Sequence, residues 1–199
     1  MNKLNYQKAR FLLSVADLAQ LPPDEGKEVA IVGRSNAGKS SVLNQLTQNK
    51  SLARVSKTPG RTQLINLFAL DEDRRLADLP GYGYAKVPPA MKRKWQALLD
   101  SYLRSRDCLQ GLILVMDIRH PLREFDCLML DWTQQSNLPV HILLNKCDKL
   151  TQSAASKTVR DVKEELSEWT NEISAQTFSA SKGKGVKELR EVMDAWFEI

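Results

Sequence analysis

Residues 33–41 read GRSNAGKSS, directly after the apolar run VAIV at 29–32. KEVAIVG (27–33) has the unbroken apolar character of a buried strand, and GKSSVLNQLTQ (38–48) opens a helix with Val42, Leu43 and Leu46 on one face. The intervening loop fits G-x-x-x-x-G-K-[ST] and lies between a strand and a helix, where that motif must lie to work. Backbone N–H groups of such a loop, together with a helix N-terminus, bind anionic oxygens without needing side chains. Gly33, Arg34, Ser35, Asn36, Ala37 and Gly38 would line the phosphates, with the two glycines allowing close backbone approach. Lys39 would bring a point charge to the β- and γ-phosphates, and the Ser40 hydroxyl could ligate Mg²⁺. A small-residue turn is the competing reading, so the rest of the chain must supply the other parts of a nucleotide site.

It does so in order. RRLADLPG (74–81) ends a strand at Asp78 and puts Gly81 three residues on, giving D-x-x-G with Leu79 and Pro80 between. Asp78 suits the outer shell of a Mg²⁺ held through Ser40, and the Gly81 N–H could sense a γ-phosphate. LLNKCDK (143–149) ends an apolar strand in Asn145, Lys146, Cys147 and Asp148, matching N-K-x-D. Guanine offers N1–H and N2–H₂ as adjacent donors, and one carboxylate accepts both. Adenine lacks that pair and would leave Asp148 unpaired, which selects for guanine. The stem of Lys146 can lie along the base, and Asn145 can tie the segment back to the phosphate loop. FSAS (178–181) is the last part, where Phe178, Ser179 and the Ala180 N–H could reach guanine O6.

The 199 residues fit one domain with a full core, 42% hydrophobic and 27% charged, with a formal net charge of +5. That charge permits an acidic partner such as RNA without requiring one. No apolar run reaches the ~18–20 residues that span a bilayer, and MNKLNYQKARFLLSVADLAQLPP has no small-residue cleavage site. Cys108, Cys127 and Cys147 are widely spaced, as expected of reduced cytosolic thiols rather than a zinc site.

Apolar runs at 62–70, 74–79, 109–117, 138–146 and 175–181 predict further strands. Helical patterns at 90–106, 122–136, 153–170 and 185–197 contain all four tryptophans, Trp95, Trp132, Trp169 and Trp196. This alternation predicts an open α/β sheet with helices on both faces. Residues 27–199 are expected to form the nucleotide-binding domain, with 1–26 as an extension packed on it.

GRSNAGKSS, SKTPGRTQLIN (56–66), DLPGYGYA (78–85), MKRKW (91–95) and MDIRHP (116–121) together resemble the EngB family of bacterial GTP-binding proteins over essentially the whole chain. The resemblance implies a Ras-like P-loop GTPase domain with a six-stranded, mixed but mostly parallel sheet. It also implies binding of GTP and Mg²⁺, slow hydrolysis, a role in large (50S) ribosomal subunit assembly, and a part in cell division and septation. A cytoplasmic monomer is expected. One departure is the last loop, SASKGKG, where the family often has SSLKKxG. Carried over by position, the resemblance makes Thr62 the switch threonine on Mg²⁺, with Thr58 the competitor. Gly60, Arg61, Thr62, Gln63 and Leu64 would lie along the nucleotide, and Lys39, Thr62 and Gly81 are the catalytic candidates. Asn36 is a candidate K⁺ ligand, as in related GTPases, or simply a stabiliser of the loop.

Ras-type GTPases place a water-orienting glutamine directly after D-x-x-G, and here that position is Tyr82. An aromatic ring cannot hold the water by an amide, which predicts slow turnover raised by a partner. Arg61 could act as a finger in cis or face RNA. Arg54, Lys57, Arg61, Lys86, Lys92, Arg93 and Lys94 cluster around the switch segments as a candidate surface for rRNA, with Tyr82 and Tyr84 as stacking surfaces. A solvated helix start is the alternative there. Two other function classes compete: an ATP-using P-loop enzyme, which N-K-C-D argues against, and a membrane-recruited GTPase scaffold, which no lipidation motif or amphipathic tail supports.

Overall fold

In the computed structural model, which describes residues 4–53, 64–83 and 88–199, strand β2 (Lys27–Gly33) runs through the middle of the sheet. Its residues alternate between two cores: Ala30 and Val32 face one side, Val29 and Ile31 the other, as a strand buried on both faces requires. In chain order the elements are β1 (Arg10–Val15), β2, α1 (Lys39–Thr47), β3 (Ile65–Ala69), β4 (Arg74–Asp78), α2 (Pro89–Ser105), β5 (Leu109–Asp117), α3 (Glu124–Gln135), β6 (Val140–Asn145), α4 (Gln152–Glu165), β7 (Ile173–Thr177) and α5 (Val186–Trp196). The sheet order is β1-β3-β4-β2-β5-β6-β7. The β1–β3 and β3–β4 pairs are antiparallel and the other pairs parallel.

Seven strands replace the six implied by the family resemblance. The additional strand in this count is β1, from the segment expected to be an extension, and it pairs along β3 from Arg10↔Ala69 to Val15↔Ile65. RFLLSV does not alternate cleanly, and only Val15 is fully buried, so its pattern does not announce a strand. The β3–β4 connection is a hairpin. The Asp71 carboxylate accepts from Asp73 N (3.0 Å) and Arg74 N (2.8 Å), an Asx-type turn that closes it.

Helices cover both faces. Trp95 and Leu99 of α2, Met129 and Leu130 of α3, and Ala155 and Val162 of α4 pack into one core. Val42, Leu43 and Leu46 of α1 and Leu189 and Met193 of α5 fill the other. The helical pattern expected to reach residue 170 stops at Glu165. Beyond it both the N–H and the hydroxyl of Ser167 bond to the Glu164 carbonyl (3.2 and 2.8 Å), tightening the chain into turns, so Trp169 lies in a connection. The last strand also ends early, at Thr177, and residues 178–181 form a loop. The three cysteines are free thiols.

At the end of β2 far from Gly33, the fully buried Glu28 carboxylate accepts from Arg75 Nε (3.2 Å), Arg106 Nε and Nη2 (both 3.3 Å) and the Tyr102 hydroxyl. Two guanidinium groups and a phenol satisfy this buried charge and join β2, β4 and α2.

His141 of β6 is buried between Ser174 Oγ (2.7 Å from Nδ1) and Gln176 Oε1 (2.8 Å from Nε2). The Gln176 amide nitrogen is spent on the Thr177 and Gly185 carbonyls, so Nε2 carries the proton and Nδ1 accepts from the serine. Burial, and secondarily the Lys163 charge, hold this imidazole below its ordinary value near 6.5. The unfolded chain therefore takes up the proton first, and stability is lost as pH falls from about 6.5 through the folded-state pKa. Denaturant midpoints from about pH 7 to about pH 5 should fall more steeply for the wild type than for His141→Asn. Parallel slopes would remove His141 as a source of acid sensitivity.

Candidate functional site

Every located motif sits at the C-terminal edge of the sheet, where open α/β folds place ligands. The phosphate loop leaves β2 at Gly33, where a Cβ would stand 2.6 Å from the Val115 carbonyl oxygen of β5. Arg34 to Ala37 make a tight turn (Ala37 N to Arg34 O, 2.9 Å), with Asn36 left-handed at φ 65°. Gly38 is left-handed too, at φ 98°, and a Cβ there would lie 2.4 Å from the Asn145 amide nitrogen. Only glycine meets both demands. Gly38 is the N-cap of α1, and no side chain among the described residues caps it, which leaves the first N–H groups of α1 for an anion.

Asp78 ends β4 and pairs with the Lys39 ammonium; their side chains are only 9% and 13% exposed. Leu79 continues the ladder, its N–H bonded to the Ile31 carbonyl (2.9 Å), and leads through buried Pro80 to half-buried Gly81. Tyr82 then pairs with the phosphate loop: its N–H reaches Gly33 O (3.4 Å), and its carbonyl accepts from Ser35 N (2.6 Å).

The side chain of Tyr82 corrects one expectation. It is 1% exposed, with its ring 5.8 Å from Trp95 and 5.9 Å from Phe125 between centroids. Its hydroxyl donates to Asp126 Oδ1 (2.5 Å), while Asp126 Oδ2 accepts from Arg123 N (2.9 Å) at the start of α3. A ring held there cannot stack on an RNA base. Burial raises the Asp126 carboxyl above the usual carboxylate range and the Tyr82 phenol well above its own.

The base-side motifs are joined to the phosphate loop by hydrogen bonds. Asn145, 2% exposed at the end of β6, donates from Nδ2 to Ala37 O (2.8 Å) and accepts at Oδ1 from Ala180 N (3.2 Å). One amide thus links three loops. Lys146, left-handed at φ 65°, donates to Asn36 O (2.6 Å). Cys147 N bonds to Phe178 O (3.0 Å) and Phe178 N to Leu144 O (2.9 Å), fixing the last loop beside the Asn-Lys-Cys-Asp turn. Ser179 Oγ donates to Asp148 Oδ1 (2.5 Å) and holds that carboxyl below its ordinary range. Asp148 is therefore an ionised pure acceptor near neutral pH.

The structure thus brings residues 33–40, 78–81, 145–148 and 178–180 to one end of the sheet. Leu64 immediately precedes β3. Thr58, Gly60, Arg61, Thr62 and Gln63 lie outside the described residues, as do Arg54, Lys57, Tyr84 and Lys86. Lys92, Arg93 and Lys94 are exposed on the first turns of α2, with Lys92 Nζ 4.4 Å from the Phe125 ring centroid.

With this geometry in place, a family model described as a 50S ribosome-binding GTPase matches residues 28–146, and one described as the elongation factor Tu GTP binding domain matches 99–198. The chain is 54% identical over 192 residues to the probable GTP-binding protein EngB of Coxiella burnetii, covering 96% of this chain and 94% of that one. It is 53% identical over 199 residues to the protein of the same name from Shewanella loihica, covering 98% and 91%. The chain belongs to the EngB family of GTP-binding proteins. A solved structure described as a probable GTP-binding protein EngB superposes with a TM-score of 0.69 at 20% identity, over 86% of this chain and 98% of that one. At that identity the match speaks for the fold.

The segment MDIRHP carries part of the family resemblance, and its spacing alone suggests no role. In the structure its Asp117 and Arg119 stand next to Lys146, and Asp117 Oδ2 lies 3.0 Å from the lysine ammonium. Nothing local to Tyr82 or Asp126 signals their hydrogen bond, which joins residues 44 apart in sequence.

Proposed function

We propose that this protein is a slow GTP-hydrolysing switch in assembly of the large ribosomal subunit, with a part in normal cell division and septation. The observation that carries the guanine-nucleotide reading is the Asn145 amide, which joins the phosphate loop to both base-side loops. In this reading residues 27–199 are the nucleotide-binding domain and 1–26 an extension packed on it, supported by the β1–β3 pairing. The protein works as a cytoplasmic monomer. Among the described residues no helix is long and apolar enough to cross a membrane.

Residues 33–40 hold the phosphates through backbone N–H groups and the Lys39 charge, and Asp148 accepts the two guanine donors. Ser40, next to Lys39 on α1, and Asp78, in contact with Lys39, make an oxygen-only donor set that fits Mg²⁺. Ser40 and Thr62 would hold the ion with Asp78 behind them, and when bound it neutralises charge on the β- and γ-phosphates. Asn36 is the residue that would hold K⁺. Gly60 to Leu64 lie along the nucleotide, with Thr62 and Gly81 reporting the γ-phosphate. Arg54, Lys57, Arg61, Lys86, Lys92, Arg93 and Lys94 present positive charge to rRNA, so that ordering of the switch segments couples the partner to the nucleotide.

Because the Tyr82 side chain is locked into the core, that position contributes no group to orient the attacking water. Intrinsic turnover should be on the order of 10⁻³ s⁻¹ or slower, measured as phosphate release from excess GTP. Turnover near 1 s⁻¹ without a partner would contradict the mechanism. The functional test is co-sedimentation with separated ribosomal subunits at fixed salt, with GDP or a non-hydrolysable GTP analogue. Analogue-dependent pelleting with the large subunit supports the proposal. A protein that binds GDP yet pellets with neither subunit would refute the ribosomal role while leaving the nucleotide site standing.

A further inference from the structure

Asp117 ends β5 opposite Asn145 in the register of β6, and Ile118 N bonds to Asn145 O (2.9 Å). This puts its carboxylate beneath the residue that follows Asn145, Lys146. Arg119 fixes both carboxylate oxygens: its Nε donates to Oδ1 (2.9 Å), its Nη2 to Oδ2 (2.7 Å), and its backbone N–H also to Oδ1 (3.1 Å). The Lys146 ammonium takes Oδ2 from the other side at 3.0 Å while donating to the Asn36 carbonyl at 2.6 Å. Arg119 first and Lys146 second hold the carboxyl far below its usual range, so it is ionised at any working pH.

A free lysine stem has four rotatable carbons and samples many rotamers. One acceptor on Asn36 tethers its tip. Two acceptors on opposite elements, the phosphate loop and the end of β5, fix its course as well. We propose that Asp117, clamped by Arg119, is a positioning residue for base recognition, holding Lys146 extended as a flat apolar shelf for the guanine ring. The inference rests on the guanine-nucleotide reading above, and it gives the Asp-x-Arg of MDIRHP a task. Asp117 does not touch the nucleotide and acts only through Lys146.

A double-mutant cycle tests this, because a merely structural ion pair and a positioning pair predict different couplings. GDP affinity is measured calorimetrically for the wild type, Asp117→Asn, Lys146→Met and the double variant. Asp117→Asn keeps the side chain's shape, and Lys146→Met keeps the stem but removes the ammonium. Asp117→Asn should weaken GDP about tenfold in the wild-type background and less than about twofold in the Lys146→Met background. Competition by inorganic tripolyphosphate, which has no base, should be unchanged by Asp117→Asn. Arg119→Gln, at a side chain that is 44% exposed, should shift GDP affinity in the same direction by a smaller factor. Equal losses in both backgrounds, an unchanged GDP affinity, or an equal loss of tripolyphosphate binding would each overturn the proposal. A wild-type protein that fails to bind GDP would count against the nucleotide reading itself.

Discussion

An Asp148→Asn variant should lose GDP affinity by on the order of 100-fold while gaining affinity for xanthosine diphosphate. Two donors of guanine facing one carboxylate make two charge-assisted hydrogen bonds, each contributing about 1.5–3 kcal/mol. An amide in its place returns one neutral acceptor and turns an NH₂ donor towards a donor on the base. Xanthine carries a carbonyl where guanine has its 2-amino group, so the same amide finds an acceptor there. The rest of the site should be unaffected, because Cys147 N and Phe178 N hold the two loops through backbone bonds that do not involve Asp148. Calorimetric titration with both diphosphates checks the exchange. Unchanged GDP affinity would remove Asp148 from the base site, whatever the spacing of Asn-Lys-Cys-Asp suggests. Ser179→Ala should act in the same direction more weakly, since the Ser179 hydroxyl only steadies Oδ1.

Lys39→Ala should produce two losses with separate causes. Removing a cation from the phosphates costs about 4 kcal/mol at an effective dielectric of about 20, roughly 10³-fold in nucleotide affinity. The second loss needs no nucleotide. Asp78 and Lys39 are nearly buried partners, and deleting one leaves the other as an unpaired charge, at a cost of roughly 3 kcal/mol. For a domain of this size that is a fall of about 6–12 °C in Tm. Lys39→Ala with Asp78→Asn should regain most of that Tm and none of the nucleotide affinity. A single variant as stable as the wild type would show that the Lys39–Asp78 pair contributes nothing to folding.

The phosphate loop, D-x-x-G and N-K-x-D were legible because each is a local device: a strand end, a turn and a few side chains with one task. Even the link from Asn145 to the phosphate loop followed from chemistry, since an amide has both a donor and an acceptor to place. What the sequence hid depends on partners distant along the chain. Tyr82 follows Gly81 and so looked as if it faced the switch surface. The aromatic rings of Trp95 and Phe125 and the carboxyl of Asp126, from two later helices, turn it inwards. Glu28 lies in the run KEVAIVG, and nothing local to it signals Arg75, Tyr102 and Arg106, which gather around its buried carboxylate. RFLLSV lacks alternation because it is an edge strand with only Val15 fully buried, so no face of it is fully apolar. The readings for residues 54–63 and 84–87, the switch threonine and part of the basic tract among them, fall outside the described residues.

The seventh strand has a consequence for how the chain is made. Ser14 of β1 meets Asn66 of β3, 52 residues away in sequence, through a side-chain hydrogen bond. During translation at about 5–20 residues per second, β1 emerges roughly 3 to 10 seconds before its neighbour exists. The backbone groups of β1 that pair with β3, from Arg10↔Ala69 to Val15↔Ile65, stay open during that interval. β1 is therefore made before its only sheet neighbour and paired late, so the nascent chain passes through a stage in which both edges of this strand are open.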